Sequence, residues 1–223
     1  LESKRERFIA ATLIAVAIPC ASLQAMIVGL VGDFGAHYVA IVYGTLFLVW
    51  VVLGMILHRL MKGYSPELII EIPRYRWPVP EPVLRKLWAR VRGFLREALP
   101  VFFAAILVIN LLYLIGAFDF LARITAPLMF HLLGLPPDSV VAIAIGFLRK
   151  DVALGLLAPL SLTAEQFVVA AVVLAMFFPC VATFAVLVRE LGARDTAKSA
   201  AIMVIAALTV GTLLNLGLLS RLW

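Results

Sequence analysis

The sequence predicts an all-α fold: a polytopic helical membrane protein with inverted-topology repeats and helices broken at Pro-Cys. Three observations predict it. Hydrophobic residues make up 64% of the 223 residues and charged residues only 14%, with a mean hydropathy of +1.09, so a soluble globule of this size would lack the polar surface to cover itself. Several apolar runs reach the ~20 residues that a helix needs to cross a bilayer. The dipeptide Pro-Cys occurs twice, at Pro19-Cys20 and Pro179-Cys180, each time in the middle of such a run.

The apolar runs fall at 8–31, 36–57, 98–117, 140–160, 165–188 and 197–219. Charge in the connectors orients them. The stretch 58–97 carries nine of the nineteen basic residues, namely Arg59, Lys62, Arg74, Arg76, Arg85, Lys86, Arg90, Arg92 and Arg96, and is therefore expected on the cytoplasmic side. Lys4, Arg5 and Arg7 put the N-terminus there too. The connector 32–37 holds Asp33 and no Lys or Arg, and 161–165 also lacks both, so these face outward. Arg189, Arg194 and Lys198 return the chain to the cytoplasm. Parity then requires 118–160 to cross an even number of times. Five spans plus a re-entrant segment and seven spans both satisfy it, and both leave the C-terminus outside. Within 82–98, Leu84, Leu87, Val91, Phe94, Leu95 and Ala98 alternate with basic residues at helical spacing, which predicts an amphipathic helix on the cytoplasmic membrane surface. Three regions result: 1–57 with the first Pro-Cys segment and the following span, 58–97 as basic linker and amphipathic helix, and 98–223 with the second Pro-Cys segment. No signal peptide is evident, and the chain begins at Leu1 rather than Met, which gives the expectation of a fragment or processed product.

Proline removes a backbone donor and clashes with the preceding turn, so each Pro-Cys predicts a helix break. A break inside a bilayer frees carbonyls to face a cavity, and the adjacent thiol is a soft metal ligand. The first Pro-Cys segment runs from inside to outside and the second from outside to inside. Two similar segments of opposite orientation point to an inverted-topology repeat and to a transport site for a soft or borderline cation. The bland alternative is a pair of unrelated kinks with cysteines serving as small buried hydrophobes. Gln24 lies one helical turn after Cys20, so both can face one cavity.

Arg149-Lys150-Asp151 is flanked on each side by nine apolar or small residues, about 14 Å of helix. Charges at such a depth are costly and mark function, with Arg149 or Lys150 expected to pair with Asp151; a short charged turn between two anchored helices is the alternative. His131 and Met26 are metal-capable side chains whose ordinary role in apolar runs is packing. No Walker motif, G-x-S-x-G, H-E-x-x-H or Gly-rich nucleotide fingerprint is present, and two cysteines this far apart fit neither a zinc finger nor a secreted disulfide framework. The net charge of +6 reflects membrane topology rather than nucleic-acid binding.

These residues resemble the membrane domain of the ferrous-iron transport protein B family (FeoB). Glu71-Ile72-Pro73-Arg74-Tyr75-Arg76-Trp77-Pro78 is similar to the family's E-L-P-x-Y-R-x-P linker. Gly146-Phe147-Leu148-Arg149-Lys150-Asp151 resembles its G-F-x-R-R-D motif. Phe178-Pro179-Cys180-Val181-Ala182-Thr183, followed by Arg189-Glu190-Leu191-Gly192, resembles its second gate, and the charged stretch from Leu1 to Arg7 resembles the approach to the first. The first gate departs from the pattern: many members have C-x-A-R-L-P where this chain has Cys20-Ala21-Ser22-Leu23-Gln24-Ala25. The resemblance implies a multi-pass protein of the bacterial or archaeal cytoplasmic membrane, with Fe2+ as the transported substrate. With that substrate, Cys20 and Cys180 are the candidate thiolate ligands of the metal, Gln24 and Asp151 serve as oxygen donors or charge balance, and Ser22, Thr183 and Arg149 are candidates along the pathway. The resemblance also implies a GTP-binding domain and further membrane helices of the same transporter preceding Leu1, so no GTP site and no enzymatic activity are expected in this chain. Homo-oligomerisation stays open. Two other readings remain: a gate-repeat protein moving a different solute, and a non-transporting membrane scaffold.

Overall fold

The computed structural model describes residues 3–61, 77, 79–116, 133–136, 139, 142, 146, 150–160, 162–177 and 179–219. Among the described residues the architecture is helical throughout, as an apolar chain that must satisfy its own backbone in lipid requires.

Helix α1, Lys4–Ala17, starts at Ser3, whose side chain accepts from the Glu6 amide at 3.1 Å. It stops short of Pro19. The residue before a proline is pushed out of the helical region, and Ile18 is extended at φ −107° and ψ 103°. Helix α2, Ala21–Met26, restarts after Cys20 and runs on through a π-helical turn, Ile27–Val31. Helix α3, Ala36–Leu60, follows Gly35, whose φ of 128° is open only to glycine at low cost. At about 37 Å it is long enough to cross a bilayer.

Helix α4, Pro80–Leu114, corrects one expectation. A surface helix at 82–98 followed by a separate span was expected; the two form one 35-residue helix with Pro100 inside it. Pro80 and Pro82 occupy the first turn, where a missing amide needs no partner. Pro100 removes a single ladder bond, and the helix continues through it. The amphipathic part lies open, with Leu84, Leu87, Trp88 and Phe94 exposed.

Helix α5, Lys150–Leu157, leads through a turn to α6, Ala164–Met176. Helix α6 opens with a capping box: the Thr163 side chain accepts from the Gln166 amide while the Gln166 side chain accepts from the Thr163 amide. It stops before Pro179. Helix α7, Val181–Leu191, ends at Gly192 with φ 81°, and α8, Ala193–Leu219, completes the bundle.

Helix α6 is the centre. Every residue from Phe167 to Met176 is buried, so it has no outward face. Helices α8, α3, α5 and α1 pack around it. Named contacts fix the directions. Arg5 donates to the His58 carbonyl at 3.0 Å and Leu13 lies over Gly54, so α1 and α3 are antiparallel. Tyr38 donates to Glu165 at 3.2 Å and the rings of Phe34 and Phe167 lie 5.4 Å apart, so α3 and α6 start at the same end. Helices α1 and α6 therefore run in opposite directions. The hydroxyls of Thr12 and Ser199 meet at 2.9 Å and tie α1 to α8 inside the core.

Among the described residues, three helical stretches are long and apolar enough to cross a membrane: Lys4–Val31, which contains the interruption at 18–20, Ala36–Leu60 and Ala193–Gly217. The protein is thus an all-α polytopic membrane protein. The parity question at 118–160 falls mostly outside the described residues.

Gly211 on α8 marks the tightest helix approach. A Cβ there would run into Leu133 and come within 2.7 Å of Val173 Cγ2, whereas nothing lies within 4 Å of a Cβ at Gly217. Gly211→Val should destabilise the detergent-solubilised protein by about 1–3 kcal/mol, the usual cost of overpacking a dense core. Gly217→Val should be near neutral. Equal melting temperatures for the two variants would contradict the α6–α8 packing.

Candidate functional site

The two helix interruptions have the same local geometry. Cys20 caps α2 at φ −67° and ψ 161°; Cys180 caps α7 at φ −60° and ψ 160°. In each case the cysteine carbonyl accepts the first bond of the new helix, from Gln24 at 2.9 Å and from Phe184 at 2.8 Å. In each case the thiol meets a hydroxyl of that helix. Cys20 Sγ lies 3.4 Å from Ser22 Oγ, and Cys180 Sγ lies 3.2 Å from Thr183 Oγ1. Both cysteines are free; Cys20 is exposed and Cys180 half-buried. The prolines before them are buried.

Proline has no amide hydrogen, so the carbonyl four residues upstream loses its ordinary donor. At the second interruption that carbonyl belongs to Ala175. Lys150 supplies the replacement: its Nζ donates to the Ala175 oxygen at 2.7 Å. The lysine is 9% exposed. Lys150 is the first residue of α5. Helix α5 is held there by packing on both α2 and α6. Gly155 lets α2 come close, since a Cβ there would stand 3.2 Å from Met26 Cε.

At the first interruption the donor is neutral. Gln24 turns back to give its Nε2 hydrogen to the Pro19 carbonyl at 3.2 Å, which leaves the side chain beside Cys20. Met26 is packed against the core rather than turned to the thiols. Arg149 and His131 lie outside the described residues, and of Asp151 only the backbone, within α5, is described. Among the described residues no three His, Cys, Asp or Glu side chains converge on one point. The donors gathered here are therefore two thiols, two hydroxyls, an amide and backbone carbonyls, a mixed and open set.

Lys150 is the residue that sequence reasoning undervalued. It was legible as one charge of a triplet expected to satisfy itself internally. The signal that points elsewhere is Pro179, which predicts an unsatisfied carbonyl at Ala175 and hence a need for a buried donor.

Three matches relate the chain to known proteins. A family model described as nucleoside recognition (Gate) matches residues 95–194. A second, described as ferrous iron transport protein B C terminus, matches residues 39–90. The Fe(2+) transporter FeoB of Methanocaldococcus jannaschii is 25% identical over 230 residues, covering 86% of this chain. The chain spans about a third of that relative's length, 34%. No solved structure matches. The two matched segments follow one another along the chain, and together with the curated relative they support a likeness to the C-terminal membrane portion of the ferrous iron transport protein B family.

Proposed function

We propose that this chain forms part of the pathway of an Fe2+ uptake transporter in a bacterial or archaeal cytoplasmic membrane. The observation that carries the reading is the pair of thiols at matched helix starts, each beside a hydroxyl of the new helix. Fe2+ is a borderline cation that accepts thiolate and oxygen donors alike. Cys20 and Cys180 are the soft ligands, Gln24 and Asp151 the oxygen donors, and Ser22, Thr183 and Arg149 line the route. The two Pro-Cys segments act as an inverted repeat, with ligands presented at the ends of half-helices. A conducting site must bind weakly enough to release, and an open mixed set beside a resident ammonium meets that need. In this reading a GTP-binding domain and further membrane helices of the same transporter regulate the step, and the region 58–97 faces the cytoplasm. A second solute class deserves a parallel test because the match over 95–194 is described as nucleoside recognition.

Cys20→Ser and Cys180→Ser keep side-chain size while removing a soft ligand. Each should lower Fe2+ uptake by the full-length transporter roughly tenfold at matched expression, the scale on which metal sites respond to loss of a supporting group. Wild-type uptake by the double variant would reduce both thiols to packing. Nucleoside uptake that survives the same substitutions, without Fe2+ uptake in the parent, would favour the second solute class.

Asp151→Asn tests the acidic member of the pathway. It should reduce Fe2+ uptake with little effect on membrane insertion, because the amide keeps the shape and loses the charge. Unchanged uptake would make Arg149-Lys150-Asp151 a structural turn.

A further inference from the structure

The remaining chemistry of the molecule concentrates at Lys150. It is buried, 9% exposed, and donates over 2.7 Å to a main-chain oxygen on another helix. That oxygen belongs to Ala175, four residues before Pro179. A continuous helix would satisfy it with the amide of residue 179, and proline has none. A second observation is independent of this bond: α5, which begins at Lys150, packs both on α6 and on α2, the helix that follows Cys20.

We infer that Lys150 is a positioning residue that stands in for the missing amide of Pro179 and holds the Cys180 cap at the end of α6. The last ladder bond of α6, from the Phe177 amide to the Val173 carbonyl at 2.7 Å, leaves the next carbonyls to other donors. In a low-dielectric interior an unpaired carbonyl is costly, and a helix end with one frays. The Lys150 bond closes that end. It also docks α5 against α6, where Ala153, Leu154 and Leu157 are fully buried. The thiol that follows, Cys180, is then held half-buried beside Thr183 rather than released. The inference rests on reading Cys180 as a pathway residue, so its test reads thiol chemistry, which is independent of cargo.

The test is alkylation of the full-length transporter in membranes with a water-soluble maleimide, with modified peptides quantified by mass spectrometry. Loss of the positioning bond in Lys150→Met should raise the alkylation rate at Cys180 on the order of tenfold, the population change that accompanies loss of one charge-assisted hydrogen bond. The rate at Cys20 should not rise. Loss of charge alone would act differently: removing a nearby cation disfavours thiolate and would slow alkylation rather than speed it. Lys150→Arg, which keeps a donor and the charge, should restore most of the protection at Cys180. Pro179→Ala supplies an amide at residue 179, so in that background Lys150→Met should have a much smaller effect. Parallel slowing at both cysteines, or an effect of Lys150→Met that is the same with Pro179 and with alanine there, overturns the inference. Should Lys150→Met fail to accumulate, recovery by Pro179→Ala supports it and failure to recover refutes it.

Discussion

A carbonyl without its amide is the constraint on which this architecture turns. In the hydrocarbon region every backbone polar group needs a partner from the protein itself. Two prolines deprive two carbonyls of their usual donors, those of Ala15 and Ala175. The chain answers differently at the two places. At the second, a buried lysine donates to Ala175 at 2.7 Å. At the first, a neutral glutamine, Gln24, folds back onto a different carbonyl, that of Pro19 at 3.2 Å rather than that of Ala15, on a more open surface. A hydrogen bond from a charged donor contributes about 1.5–3 kcal/mol, roughly twice a neutral one, so the deeper interruption has the stronger closure. The same substitution of proline for an ordinary residue has produced two thiols in nearly identical backbone settings but with unequal access.

Helix α6 makes this arrangement rigid. Its thirteen residues span about 20 Å, less than the thickness of a bilayer core. All-round burial from Phe167 to Met176 means that four neighbours take their position from it. The capping box at Thr163 and Gln166 fixes its start, and Gln166 also donates to the Gly134 carbonyl at 3.0 Å. One end is therefore anchored by these polar bonds, and the other by Lys150. Helix α1 runs the opposite way, and the chain after it continues into α2. Helix α2, after the first thiol, and α6, before the second, thus both pack on α5.

Much of the fold was legible in the sequence, for definite reasons. The apolar runs at 36–57 and 197–219 became α3 and α8 because nothing in them opposes a helix. Pro19 and Pro179 marked where helices stop, since a missing donor is a local property. The opposite directions of the two segments followed from basic residues in the connectors. What sequence did not show was relational. Helix α4 runs through Pro100, a continuity no single residue announces. Met26 packs over Gly155 on a different helix, a pairing visible only once the helices meet. The sequence pairs Arg149 or Lys150 with Asp151, whose side chain lies outside the described residues; that Lys150 reaches a carbonyl twenty-five positions away is not legible in the triplet. Of the candidate site, the two cysteine caps follow from Pro-Cys, since the break is local; the bond that closes the second break comes from another helix and does not.

The bond from Lys150 answers two needs at once. A buried carbonyl without a donor is costly, and so is a buried amine without an acceptor. The 2.7 Å contact between Lys150 and Ala175 satisfies both, at 9% exposure. It ties the first residue of α5 to the last turn of α6, and α5 packs in turn on α2, the helix that begins after Cys20. The end of one proline-broken segment is thereby joined through α5 to the start of the other, and the side chain that replaces the missing Pro179 amide is also the one that fixes how the two segments meet.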